Sequence, residues 1–110
     1  MIRSFLLLWL ILLPGQIWAH ELRPGYLSIE ETVPETFKVL WKVPALGDRR
    51  LAIYARLPAS CRPQGEPMRE IEAGAFLERW LAHCDPGLKG QTITIEGLDA
   101  TLTDVLLRIS

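Results

Sequence analysis

An all-β fold is predicted by the arrangement of apolar residues after the first nineteen positions of the chain. Apolar and polar side chains alternate with a period of two in several short runs, which is typical of half-buried strands. Turn-forming residues separate these runs at intervals of about eight to twelve residues. The 110-residue chain has room for about one ordinary domain. These features favour an antiparallel β-sandwich of about six or seven strands, of the immunoglobulin-like kind.

The first two predicted strands form a hairpin. The run YLSIEE places Leu27 and Ile29 on one face, and the run TFKVLWKVP alternates in the same way between residues 37 and 43. The short segment between them, residues 33–36, has the composition of a turn. We therefore expect antiparallel pairing, with Trp41 among the inward side chains.

The middle of the chain contains one more alternating run and a segment rich in proline and glycine. The run LAIYARLP alternates from Leu51 to Leu57 and is expected to end at Pro58. The segment CRPQGEP, residues 61–67, is predicted to be an exposed loop because it contains two prolines and a glycine. The next segment, MREIEAG, is expected to form a brief strand.

The segment AFLERWLAHC, residues 75–84, is ambiguous. Its apolar residues fit a helical stripe, and local propensity favours helix. Its neighbours are all predicted strands, and the turn at residues 85–87 follows it at once, so we expect a strand. Trp80 would then face inward, like Trp41.

Two short strands are expected at the end of the chain. The run QTITIEGL gives Ile93 and Ile95 an inward face. The run TDVLLRIS aligns three further apolar residues on one face, Val105, Leu107 and Ile109.

Residues 1–19 have the pattern of a secretory signal peptide. Arg3 precedes an apolar run at residues 5–13, and a Pro-Gly break and the small residue Ala19 follow it. The run is too short to span a bilayer comfortably. Ile17 is larger than is usual two residues before the last residue of a signal peptide, here Ala19. The alternative interpretation is an uncleaved membrane anchor.

The sequence therefore divides into a signal peptide, residues 1–19, and an exported periplasmic β-domain, residues 20–110. The net charge of the whole chain is −1, which gives no argument for a nucleic-acid partner. The sequence ends at Ser110 directly on an apolar strand, without a polar tail. We therefore expect the domain to be truncated at its C-terminal end.

The chain contains two cysteines, Cys61 and Cys84. An even number of cysteines in an exported chain argues for a disulfide, and two cysteines permit only one pairing. Closing a loop of this length is expected to stabilise the fold by about 3 kcal/mol. A redox or metal role is less favoured, because no C-x-x-C pair exists. Whether the bridge ties two sheets together or staples a long loop stays open at this point.

His20 is the one candidate metal ligand that the sequence singles out. Cleavage after Ala19 would make it the N-terminal residue, so its amine and its imidazole could bind one copper(II) or nickel(II) ion. Glu21 could add an oxygen ligand. The alternative is a solvated terminal residue, and His83, the other histidine, is interpreted as structural.

No enzyme is predicted. The sequence contains no G-x-S-x-G, no H-E-x-x-H and no phosphate-binding glycine loop. The adjacent carboxylates Glu30 and Glu31 would point to opposite faces of a strand, so they do not form an acid–base pair.

The order of these motifs resembles a known family. The succession WAHELRPGYLSIEET, FKVLWKVPALGDRRLAIYARLP, a cysteine, GAFLERWLAHC and TITIEGLDATLTDVLLRI is similar to the exported N-terminal region of bacterial HupE/UreJ-family membrane proteins. The resemblance covers residues 17–110. It implies an extracytoplasmic β-rich region that is followed by transmembrane helices and associated with nickel or cobalt uptake. The family's histidine and aspartate motif of the first membrane helix has no counterpart here, so no transport residue can be assigned.

The expected function is that of an extracytoplasmic accessory domain of a HupE/UreJ-like membrane protein. Its expected partners are the membrane domain of the same longer protein or other envelope proteins, with a nickel, cobalt or copper ion as the candidate ligand. The full-length protein would lie in the inner membrane. The alternatives are a free-standing periplasmic copper- or nickel-binding module that uses His20, and a purely structural envelope interaction domain.

Overall fold

The computed structural model describes residues 23–110, and they form an almost purely β structure. A single turn of 3-10 helix spans Leu98–Ala100. No helix in this part of the chain has the length and hydropathy to cross a bilayer. The predicted signal peptide and His20 lie outside the described residues. The strands are, in chain order, β1 (Gly25–Val33), β2 (Thr36–Leu46), β3 (Arg49–Arg50), β4 (Tyr54–Arg56), β5 (Cys61–Glu72), β6 (Ala75–Cys84), β7 (Thr94–Glu96) and β8 (Val105–Ile109).

The strands form a large sheet and a small one. The main sheet has the order β5-β6-β2-β1-β8, and β3 pairs with β2 beside this path. The second sheet consists of β4 and β7. All pairs are antiparallel except β1 with β8, which is parallel. The predicted all-β sandwich is confirmed, with one parallel pair that the sequence did not indicate.

The predicted hairpin of the first two strands is confirmed. Tyr26 pairs with Lys42 at one end of the ladder, and Val33 pairs with Thr36 at the other. The turn places Glu35 in the left-handed region, with a φ of 69°. Thr36 then begins β2, so the two strands meet at a tight connection.

The hydrophobic core lies on one face of the main sheet, which we call the core face. Alternation puts every second residue of β1 and β2 on this face, as the sequence predicts. The two-stranded sheet and its flanking loops cover it and contribute Ile53, which is fully buried. The buried core-face residues of the main sheet are Leu27, Ile29, Phe37, Val39, Trp41, Val43, Ala82 and Cys84.

The opposite face of the main sheet, the outer face, is largely polar. Lys38 and Lys42 are exposed on it, and Ser28 is half-buried. Leu77 is an exception, with 6% of its surface exposed. This contrast between the two faces explains why the alternation in the sequence is clear for β1 and β2.

The ambiguous segment 75–84 is confirmed as a strand. As β6 it lies between β2 and β5, and it pairs along its whole length with β2, from Ala75 to His83. A central position in the sheet supplies two neighbouring ladders of hydrogen bonds, and this tertiary context overrides the local helix propensity. Trp80 packs against the core, as predicted, but stays partly exposed.

The prediction of an exposed loop at residues 61–67 is wrong, because this segment is the first half of the long strand β5. The predicted brief strand over MREIEAG is its second half. Pro63 and Pro67 are tolerated because β5 is an edge strand, where a proline need not donate to a neighbour. The pairing with β6 shifts register between Gln64 and Met68. Since most side chains of β5 are exposed on both faces, the strand has no alternating pattern to recognise.

The predicted strand of residues 51–57 is shorter than expected. Only Tyr54–Arg56 pair, with β7, and Ile53 precedes them as a buried residue of irregular backbone. The inward face is nevertheless correct, because the residues that alternate with Tyr54 and Arg56 pack on the core. These partly buried residues are Leu51, Ala55 and Leu57.

Gly97 holds the second sheet against the segment before β4. Its φ is 87°, and a Cβ atom at this position would overlap the carbonyl oxygen of Ala52. Only glycine permits both the left-handed backbone and this close approach. The position therefore fixes how β7 leaves the core and how the 3-10 turn begins.

Candidate functional site

The two cysteines form the disulfide that the sequence predicts. Cys61 and Cys84 are bonded, and their Cα atoms lie 4.0 Å apart as direct partners in the β5–β6 ladder. The bridge therefore ties neighbouring strands of one sheet and does not join two sheets. It closes the open end of the β5–β6 hairpin and fastens an edge strand to the core, where Cys84 is fully buried.

His83 lies at the same end of the sheet, beside the β1–β2 turn. Its Nε2 is 3.7 Å from Oε2 of Glu35, and both side chains are about 40% exposed. The backbone N–H of Cys84 donates to the carbonyl oxygen of Glu35 at 2.8 Å. His83, near the end of β6, therefore lies against the β1–β2 turn, and its interpretation as structural stays a prediction.

The described residues do not assemble a metal site. Among residues 23–110 no group of three or more histidine, cysteine, aspartate or glutamate side chains is placed to hold an ion. Both cysteines are consumed by the disulfide. The predicted ligand His20 and its neighbour Glu21 lie outside these residues, so the metal hypothesis rests on the sequence alone.

An open cleft lies between β4 of the second sheet and the β2, β6 and β5 part of the main sheet. Its volume is about 790 Å³, within the range of ligand-binding clefts. We call it the Trp41 cleft. Its lining combines three aromatic side chains with three arginines and two glutamates: Trp41, Tyr54, Phe76, Arg50, Arg56, Arg69, Glu70 and Glu78.

The cationic side chains of the Trp41 cleft are held by neighbours. The guanidinium carbon of Arg50 lies 4.6 Å from the centre of the Tyr54 ring, and that of Arg56 lies 5.7 Å from it. Arg56 Nε also donates to Glu96 Oε2 at 2.8 Å, and Arg69 Nε donates to Glu78 Oε2 at 3.1 Å. Stacking on an aromatic ring and pairing with carboxylates fix the positions of these guanidinium groups.

Trp41, which borders the cleft, carries a buried donor without a partner among the described residues. Only 2% of its surface is exposed, and its Nε1–H has no hydrogen-bond partner within residues 23–110. A buried indole N–H normally finds an acceptor. The aromatic rings and the arginine–glutamate pairs give the Trp41 cleft a lining that is partly apolar and partly charged.

Sequence reasoning missed the Trp41 cleft for a specific reason. Trp41 is predicted as an inward side chain, which the structure confirms, and alternation alone does not show that it also borders a cleft. A usable signal existed in the spacing of Tyr54 and Arg56, because residues two apart in a strand share a face. No pattern in the sequence indicates that this face meets Arg69 of an edge strand.

A second surface lies at the other edge of the main sheet, along β8. Its apolar residues are exposed on both faces: Leu106 by 57%, and Leu107 and Ile109 by 53% each. Leu107 and Ile109, which the sequence aligns on one face, both lie on the core face, paired with Leu27 and Ile29. The second sheet does not cover them fully, so they stay half-exposed there.

Comparison with known proteins adds no identification. No protein-family model, no curated protein and no solved structure gives a significant match to the chain. The function is therefore argued from the residues and the surfaces described above.

Proposed function

We propose that this chain is a non-enzymatic extracytoplasmic accessory domain of a HupE/UreJ-like membrane protein that takes part in nickel or cobalt uptake. The observation that carries its location is the Cys61–Cys84 disulfide, because such bonds persist in oxidising compartments outside the cytoplasm. The signal-peptide pattern of residues 1–19 supports the same location and, in the bacterial context that the resemblance implies, a periplasmic one.

A role in contacting other molecules is supported by two surfaces of the domain. The Trp41 cleft and the exposed edge of β8 are features of a domain that contacts other molecules. The resemblance of residues 17–110 to the exported region of the family supports the membrane part of that same protein as the partner. In this proposal the domain contacts the extracytoplasmic side of the transporter and leaves ion translocation to the membrane helices.

The test is metal uptake in the source organism. Codons 23–110 are removed in frame from the genomic gene, and accumulation of radioactive nickel and cobalt is compared with that of manganese. We expect uptake of nickel or cobalt to fall and manganese uptake to stay unchanged. An immunoblot against the remaining polypeptide controls for its abundance.

A wild-type rate for both nickel and cobalt in the deletion strain would contradict the proposal. A matched control is Arg62→Asp, which changes one exposed charge on β5 and touches neither the Trp41 cleft nor β8. This variant should take up both metals at the wild-type rate.

A further inference from the structure

We propose that the chain forms a two-fold symmetric dimer in which the β8 strands of two copies pair antiparallel along their open edges. The inference concerns the edge of the main sheet and goes beyond the proposed function. It follows from the difference between the two edges, from the direction of the free backbone groups and from the charges of β8.

The two edges of the main sheet differ in how they resist pairing. β5 carries Pro63 and Pro67, a register shift and many charged side chains, which are the usual devices that prevent an added strand. β8 has none of these devices over Val105–Ile109, where Arg108 is its one charged residue. An exposed apolar edge strand without such protection is a template for another strand.

The hydrogen bonds with β1 determine which backbone groups of β8 remain free. Gly25 N–H donates to Asp104 O at 2.8 Å, and Ser110 N–H donates to Ile29 O at 2.9 Å. In a parallel ladder, alternate residues direct their N–H and C=O groups to the same neighbour. The even-numbered residues therefore bond to β1, and Val105, Leu107 and Ile109 direct their backbone groups to the open edge.

An added antiparallel strand must form its hydrogen-bonded pairs through these odd-numbered residues. When two copies of β8 pair about an axis at Leu106, Val105 of each copy lies opposite Leu107 of the other, as a hydrogen-bonded pair. Leu106 lies opposite its own symmetry mate, as a non-hydrogen-bonded pair. The register thus satisfies the backbone and brings apolar residues together on both faces.

The same register also places residues of opposite charge across from each other. Asp104 of each copy lies opposite Arg108 of the other, on the outer face with Leu106. Both residues are exposed, and neither takes part in an ion pair among residues 23–110. Opposite charges directly across a ladder stabilise it, and like charges destabilise it. This self-complementarity is the reason for proposing a second copy as the occupant.

Charge reversal tests the dimer. The untagged chain is expressed from its own Met1, purified in the form that the cell produces, and studied by sedimentation equilibrium over a concentration series. Asp104→Arg and Arg108→Asp should each weaken dimerisation by about tenfold or more, because each creates two like-charge pairs by symmetry. The double variant should recover the wild-type association constant to within about threefold.

The matched control is again Arg62→Asp, which should dimerise as the wild type does. Circular dichroism spectra of all variants establish that the fold is kept. A wild type that is monomeric at every concentration would overturn the proposal. Folded single variants that dimerise normally would overturn it too, as would a folded double variant that does not recover.

Cross-linking tests the proposed register of the two β8 strands independently of charge reversal. Leu106→Cys should form an intermolecular disulfide readily, because this residue meets its own symmetry mate in the proposed pairing. Arg108→Cys, which meets Asp104 instead, should cross-link at least about tenfold more slowly at equal concentration. Equal rates for the two variants would refute the register. Since both tests use the purified protein, their failure is separate from a failure of the uptake experiment.

Discussion

At the scale of single residues, Gly97 shows how a residue with no side chain can determine the packing of two layers. Its left-handed backbone turns the chain out of β7, and the carbonyl group of Ala52 occupies the space that a Cβ atom would need. Backbone atoms cannot rotate away as a flexible side chain does. The segment before β4 and the start of the 3-10 turn are therefore held together by contact between main chains.

Replacing Gly97 by alanine should be far more damaging than the same change at another left-handed glycine. We expect Gly97→Ala to lower the free energy of unfolding by about 3 kcal/mol, because the two backbones must separate. Gly47 also has a positive φ, of 68°, but apart from its chain neighbours no atom of the described residues lies within 4 Å of the place that a Cβ atom would take there. Gly47→Ala should therefore cost about 1 kcal/mol.

The measurement is urea-induced unfolding of both variants and the wild type, followed by tryptophan fluorescence. Similar losses for Gly97→Ala and Gly47→Ala would show that the contact with Ala52 is unimportant.

At the scale of elements, β5 and β6 form a hairpin whose open end is closed by the disulfide. Within residues 23–110, β5 pairs with β6 alone, and most of its side chains are exposed. It buries little apolar surface, so the hydrogen bonds to β6 and the covalent bond hold it in place. We infer that this strand is the part of the sheet that depends most on oxidation.

Loss of the disulfide should destabilise the protein by about 3 kcal/mol. The double variant Cys61→Ala/Cys84→Ala is compared with the wild type by chemical unfolding, in oxidising and in reducing buffer. Reduction should destabilise the wild type by a similar amount and leave the double variant unchanged. A variant as stable as the oxidised wild type would contradict the prediction, as would free thiols in the native protein before reduction.

The elements also show which parts of the fold are visible in the sequence. The alternation in β1 and β2 predicts their pairing, because one face of the sheet is buried and the other is exposed to solvent. The first half of β5, residues 61–67, escapes detection because an edge strand that is exposed on both faces has no alternating apolar pattern. The parallel partner of β8 is equally hidden, because pairing between residues 25–29 and 105–109 is decided by the packing of the intervening chain.

The candidate sites also differ in how far the sequence alone predicts them. The disulfide follows from a count of two cysteines, and its position within one sheet follows only from the β5–β6 register. The Trp41 cleft needs the meeting of β4 with the β2, β6 and β5 part of the main sheet, which no local pattern encodes. His20 was singled out by its place after a cleavage site, a chemical argument that does not depend on the fold.

At the scale of the whole molecule, the two layers are unequal. The main sheet is broad, and the two-stranded sheet covers only part of its core face. The uncovered parts lie at opposite edges, at the Trp41 cleft beside β5 and along β8. The surfaces available for contact with other molecules are thus a direct result of this inequality.

We predict that the whole chain is exported and cleaved after Ala19. Protein recovered from the periplasm of a Gram-negative host should have a mass that corresponds to a chain beginning at His20, because cleavage is expected after Ala19. Its far-ultraviolet circular dichroism spectrum should be dominated by β structure. Recovery of an uncleaved chain from the membrane fraction would favour the anchor interpretation instead.

The exposed turn between β2 and β3, at Gly47 and Asp48, offers a practical attachment point for this molecule. A fluorophore or an affinity group placed directly after Ser110 would lie beside the open edge and obstruct it. One carried by the 47–48 turn would leave both β5 and β8 free. Imaging and pull-down reagents for this protein are therefore best inserted in that turn.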